Sequence, residues 1–163
     1  LLIVGAVRIW KRKETIAFLG LSKPSWINVL IWLGTFIALG LVVELLAYLS
    51  PSFRTDFMAK VIGSTTTMAW LVLGVGIMAP VFEEFLLRGL LYGTLRHTLD
   101  EHAGVAITAG VFTLMHMQYD LAVMMLILPM GIVLGYARSR SGSIWVPVFL
   151  HILNNLITLI VPA

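Results

Sequence analysis

Glu83 and Glu84 stand side by side in an otherwise apolar run, with Arg88 four residues after the second acid. On a helix, Glu84 and Arg88 share one face with the glutamate nearer the N-terminus, the favoured order for an ion pair, so the two can neutralise each other. Glu83 is rotated about 100° away and has no partner of its own in the segment. It is therefore free to exchange a proton and is the candidate base. His116 closes a later apolar segment, with Phe112 one turn before it, and His151 lies in the last one, with Asn155 at i+4 and Asn154 beside that. Each residue also has a plain structural reading: a buried ionic network that fixes packing, an interfacial histidine, or asparagines that join helices. The chain has no cysteine, so thiolate chemistry and disulfides are excluded.

The segments that must position these groups are membrane spans. The 163 residues are 60% hydrophobic and 12% charged, with a mean hydropathy of +0.99, against roughly 45–50% apolar and about 25% charged in soluble proteins. A net charge of +3 and a pI near 9.5 suit nucleic acid, but the basic residues stand at segment ends, as membrane orientation requires, and no nucleic-acid partner is expected. An apolar opening, Leu1-Leu2-Ile3-Val4, runs without an initiator Met into Arg8 and Lys11-Arg12-Lys13, like the tail of a span whose beginning is missing. A full span follows from Trp26 to Leu49, started by Lys23-Pro24-Ser25, stopped by Ser50-Pro51 and holding one acid, Glu44, read as a buried packing group. After a polar stretch at 52–67, a long run reaches about residue 99, and Pro80 is expected to kink or restart it. Apolar segments at 104–117, 121–136 and 144–161 are separated by Gln118-Tyr119-Asp120 and by the polar run Arg138-Ser139-Arg140-Ser141-Gly142-Ser143. The expected fold is all-α, a polytopic transmembrane helical bundle with a short, re-entrant segment ending near His116. It forms one membrane domain over 1–163, with its core at about 67–161. Gly131-x-x-x-Gly135 is expected to let helices approach closely, and His97 and His102 are expected to be solvated at the interface.

Orientation and depth follow from the same spacing. If the loop at 8–25 is cytoplasmic, eight Lys and Arg fall on that side and only Arg54 and Lys60 on the other, as the positive-inside rule requires. At about 1.5 Å per residue from the presumed cytoplasmic ends, Glu83, His116 and His151 lie roughly 20, 18 and 12 Å deep. An acid or a base at a helix centre costs about 2.5–3.5 kcal/mol, so a cluster of them needs a reason. The segment ending at Met117 is too short to cross about 30 Å, so its polar exit implies a wet cavity at depth.

Three motifs occur in order on successive apolar segments: Glu-Glu-x-x-x-Arg at 83–88, Phe-x-x-x-His at 112–116 and His-x-x-x-Asn at 151–155, the last approached by Ser143-Ile144-Trp145-Val146-Pro147. Together they resemble the CPBP intramembrane protease family, also called Abi, which includes type II CAAX prenyl endopeptidases and bacteriocin-processing and self-immunity proteins. The resemblance covers about residues 78–155. It implies an endopeptidase acting on a membrane-associated or lipidated peptide, in which Glu83 with His116 activates a water, His151 and Asn155 stabilise the oxyanion, and Glu84 and Arg88 support them. A carboxylate desolvated among apolar helices is a stronger proton acceptor, and preorganised donors in a site of low dielectric can each contribute about 3–4 kcal/mol. Glu83, His116 and His151 also have the composition of a two-His, one-Glu zinc site, so a zinc cofactor is the alternative to a metal-free water, which Asn155, a poor zinc ligand, favours. A non-catalytic scaffold or immunity protein, and a transporter or proton relay, are the other readings.

Overall fold

In an apolar solvent the backbone N–H and C=O groups have only each other to bond, which leaves helices or closed barrels as the available structures. A computed structural model describes residues 2–10, 14–64 and 67–160, and no strand occurs among them beyond an isolated bridge between Leu21 and Ser143. The helices are α1 (Leu2–Trp10), α2 (Thr15–Leu19), α3 (Trp26–Leu49), α4 (Phe57–Gly63), α5 (Met68–Leu95), α6 (Glu101–Leu114), α7 (Leu121–Ser141) and α8 (Trp145–Ile160). A 3₁₀ turn at Pro51–Phe53 follows α3. Three of these helices, α3, α5 and α7, are long and apolar enough to cross a membrane, and α8 is a shorter apolar helix. The helical membrane bundle expected from the sequence is the observed fold.

Pro80 does not break α5. Val72–Met78 and Phe85–Leu91 are π-helical, on either side of an α-helical Ala79–Glu84. The widened turn before Pro80 accommodates its ring and missing N–H, and π-turns of this kind gather at functional sites. Helices α6 and α7 pack antiparallel at close range. A Cβ on Gly131 would lie 3.1 Å from Phe112 Cδ1, and one on Gly135 would lie 2.9 Å from Val105 Cγ1. The expected close approach at Gly131 and Gly135 is thus present. Between α3, α5, α6, α7 and α8 lies a core of Phe36, Leu87, Phe112, Leu134, Ala137, Val146 and Leu150.

Several boundaries differ from the sequence reading. Helix α6 begins at Glu101, where the Asp100 carboxylate caps it by accepting the Ala103 N–H (3.0 Å), and ends at Leu114, so His116 lies in the turn beyond it. Helix α7 continues through Arg138 and Arg140, which in the sequence stand in the polar run between apolar segments. Basic side chains favour a helix C-terminus, and the stop comes only at Gly142 (φ 67°). Glu44 is exposed on α3 rather than buried. The basic loop is not merely polar: α2 forms within it and buries Phe18 and Leu19. Lys11, Arg12 and Lys13 lie outside the described residues.

That segment is fastened to the ends of α5, α7 and α8. Arg138, itself buried, donates to Arg88 O (3.1 Å) and Phe18 O (3.3 Å); Ile144 N–H donates to Gly20 O (2.7 Å) and Ser143 Oγ to Ser22 O (2.6 Å). Gly20 adopts φ 71°, and any side chain there would strike the Arg138 guanidinium.

Candidate active site

Helix α5 carries Glu83, Glu84 and Arg88, and the ion pair expected at i+4 is formed. Arg88 Nη1 donates to Glu84 Oε1 at 3.0 Å, and both side chains are fully buried. Arg88 Nη2 donates to Gly131 O of α7 (2.9 Å), and the guanidinium stands 4.7 Å from the Phe112 ring centroid. The same Glu84 Oε1 lies 2.8 Å from His151 Nδ1 on α8. With Glu84 Oε1 the acceptor here, as it is towards Arg88, the hydrogen bond uses the Nδ1–H of His151. Its other nitrogen, Nε2, is 3.9 Å from Glu83 Oε2, an ion-pair separation rather than a hydrogen bond. Two adjacent carboxylates therefore flank one imidazole, one at each nitrogen. The Glu83 side chain is 18% exposed.

His116 follows the same logic on a different acceptor. Its Nδ1 is 2.8 Å from Phe112 O, a carbonyl that can only accept. In the neutral ring, Nε2 is then a bare acceptor, and among the described residues it has no hydrogen-bond partner. The Phe112 ring touches both imidazoles, with centroids 4.6 Å from His116 and 5.4 Å, edge-on, from His151. Asn155, one turn beyond His151, donates from Nδ2 to Val75 O (2.9 Å), a carbonyl of the first π-helical stretch.

The structure thus joins Glu83, Glu84, Arg88 and His151 directly. It attaches His116 through Phe112, with no hydrogen bond or ion pair to Glu83 among the described residues, and places Asn155 at the edge with an N–H committed to Val75. Glu83 Oε2, Glu84 Oε2 and Arg88 Nε are buried without hydrogen-bond partners. Such atoms cost about 1–3 kcal/mol each, and their concentration in one place calls for a functional explanation. Sequence reasoning missed the sharing of Glu84 between Arg88 and His151, because Arg88 alone satisfied it on the helix. It also missed Val75 and Gly131, which act through backbone carbonyls and leave no side-chain signature. A cavity of about 340 Å³ lies elsewhere, lined by Glu14, Ala17, Phe18, Arg96 and His97, and includes none of these residues. In the positions that Glu83, His116 and His151 occupy, no three His, Asp or Glu side chains among the described residues are grouped to hold a metal ion. The Nδ1 atoms of His151 and His116 are engaged, one by a carboxylate and one by a carbonyl, which leaves Nε2 as the ring nitrogen each can offer to a ligand.

The model of the type II CAAX prenyl endopeptidase family, Rce1-like, matches residues 65–157, which is 93 of the 163 residues and contains every residue of this site. The chain belongs to that family. Among curated proteins, it is 29% identical over 79 residues to "Putative membrane peptidase YdiL" of Bacillus subtilis, covering 48% of this chain and 32% of that protein. It is also 29% identical over 119 residues to an "Uncharacterized 24.3 kDa protein" of Escherichia coli, covering 71% of this chain and 54% of that one. The chain thus spans about a third and about half of the lengths of these two relatives. No solved structure matches the chain at a significant level. Membership makes this a membrane protein of an endopeptidase family, and the buried Glu-Glu-Arg-His group is its candidate catalytic centre.

Proposed function

We propose that this chain is an intramembrane endopeptidase that hydrolyses a peptide bond of a membrane-associated or lipidated substrate, with water as the nucleophile. The observation that carries the proposal is the setting of His151, with Nδ1 on Glu84 and Nε2 facing Glu83. Glu83, partly exposed and with an oxygen that no hydrogen bond holds, is the group suited to take a proton from water, assisted by His116, whose Nδ1 is engaged and whose Nε2 is open. The water oxygen attacks the carbonyl carbon, and the π electrons move to oxygen. His151, whose Nδ1–H is given to Glu84, donates to that oxyanion from Nε2 with a second proton that it takes from solvent before the attack and keeps through the step. Asn155 adds an amide N–H. Collapse of the intermediate breaks the C–N bond, and the proton held by Glu83 passes to the leaving amine. The cytoplasmic side is assigned to residues 8–25, together with Arg96, Arg138 and Arg140 at the same end of the bundle.

The test is cleavage by the full chain, purified into liposomes, of a quenched peptide ending in a farnesylated Cys-aliphatic-aliphatic-X sequence. Glu83→Ala is expected to slow it by about 10²–10⁴, the range supplied by a general base. Comparing membrane-peptide profiles of cells carrying wild type or Glu83→Ala extends the search beyond prenylated peptides. A wild type that cleaves nothing in either assay overturns the proposal. Retention of a cellular phenotype by Glu83→Ala indicates a scaffold, and movement of protons or solute across the liposomes indicates a transporter.

A further inference from the structure

His116 is lightly anchored. Helix α6 has ended two residues earlier, and the imidazole makes a single hydrogen bond, to a carbonyl of its own turn. One such bond leaves the plane of the ring, and hence the direction of the Nε2 lone pair, incompletely fixed. Two aromatic rings supply the remaining constraint. Phe112 touches His116 at 4.6 Å, its plane tilted by 53°. Tyr119 lies nearly parallel to it, with centroids 6.2 Å apart and planes 16° apart, within the range of offset-stacked rings. Tyr119 is itself held in two ways. Its backbone N–H donates to His116 O (3.1 Å) and closes the turn that carries both residues. Its ring is half-buried and meets Phe57, the first residue of α4, edge-on at 4.9 Å. A continuous aromatic series, Phe112, His116, Tyr119 and Phe57, therefore runs from the ring beside buried Arg88 to α4.

We propose that Tyr119 is a positioning residue of the reaction: its ring fixes the plane of His116, and its contact with Phe57 makes α4 part of the frame of the site. Its part in catalysis rests on the endopeptidase reading above. Its part in orienting His116 does not. The hydroxyl is dispensable for this role and the ring is not.

The experiment compares Tyr119→Phe, Tyr119→Ala and Phe57→Ala in the full chain in lipid nanodiscs, with histidine ring carbons labelled for NMR and His116 signals assigned by their loss in His116→Gln. Tyr119→Ala is expected to move the His116 signals and leave those of His151 in place, while Tyr119→Phe keeps both. With the farnesylated peptide, Tyr119→Ala is expected to lower kcat about tenfold to a hundredfold with KM within about twofold, and Tyr119→Phe to stay within about threefold of wild type, as loss of alignment alone would give. Unmoved His116 signals in Tyr119→Ala, or an equal loss in Tyr119→Phe, overturn the proposal. If Tyr119→Ala does not fold, Tyr119→Leu and Phe57→Ala carry the same test, and unmoved His116 signals in both of them overturn it. A wild type that cleaves no peptide defeats the endopeptidase reading, while the NMR comparison still decides whether Tyr119 orients His116.

Discussion

His151 and Arg88 depend on one carboxylate oxygen, Glu84 Oε1, and this sharing governs what substitutions there will do. Truncating Glu84 strands a buried arginine cation and frees His151 Nδ1 at once. Breaking a buried ion pair from one side costs about 3–5 kcal/mol, whereas replacing both partners by apolar groups is often near neutral. Glu84→Ala is therefore expected to lower thermal stability in detergent by about that amount, and Glu84→Ala/Arg88→Met to recover much of it. Activity should separate from stability: the double variant stays inactive, because nothing then fixes the plane of the His151 ring or the direction of Nε2. A stable double variant with wild-type cleavage would show that Glu84 serves packing alone.

Helix α5 is a 28-residue span whose two π-helical stretches bracket the paired acids, and α7 presses against α6 at Gly131 and Gly135 to bring Gly131 O onto Arg88. The steric requirement differs sharply between glycines. A methyl group at Gly135 meets Val105 at 2.9 Å, whereas one at Gly110 on α6 meets nothing within 4 Å. Gly135→Ala is expected to destabilise the bundle by about 1–3 kcal/mol through overpacking, and Gly110→Ala to leave it unchanged or up to about 1 kcal/mol more stable. Thermal unfolding of the two variants in the same detergent makes the comparison. Equal effects at both positions would mean that the α6–α7 contact is looser than these distances state.

At the scale of the whole molecule, α2, the end of α5 and the α7–α8 junction are joined by the hydrogen bonds of Arg138, Gly20 and Ser143, so the basic residues around them share one end of the bundle. The assignment of that end to the cytoplasm can be read directly, because the chain has no cysteine of its own. Thr98→Cys lies in the α5–α6 connection and Ser64→Cys just past α4. In intact cells a membrane-impermeant maleimide is expected to label Ser64→Cys, and to label Thr98→Cys only after permeabilisation. The reverse pattern would invert the orientation and place the substrate entrance on the other side.

Much of this was legible in the chain itself. Apolar run lengths determined the helices, because lipid leaves the backbone no other way to satisfy its hydrogen bonds, and the i,i+4 spacing of Glu84 and Arg88 determined their pair, because the helix repeat is fixed. The order of the three motifs pointed to the family. What lay between elements was not legible. That His151 Nδ1 selects Glu84 rather than Glu83, that Asn155 donates to Val75, that Arg138 reaches Arg88 O and that Tyr119 stacks on His116 all depend on how helices rotate and approach one another. Hydropathy is nearly blind to that rotation in a bundle surrounded by lipid, since the lipid-facing and core-facing sides are equally apolar. Only packing at Gly131 and Gly135, with the few polar atoms that had to find partners, settled it.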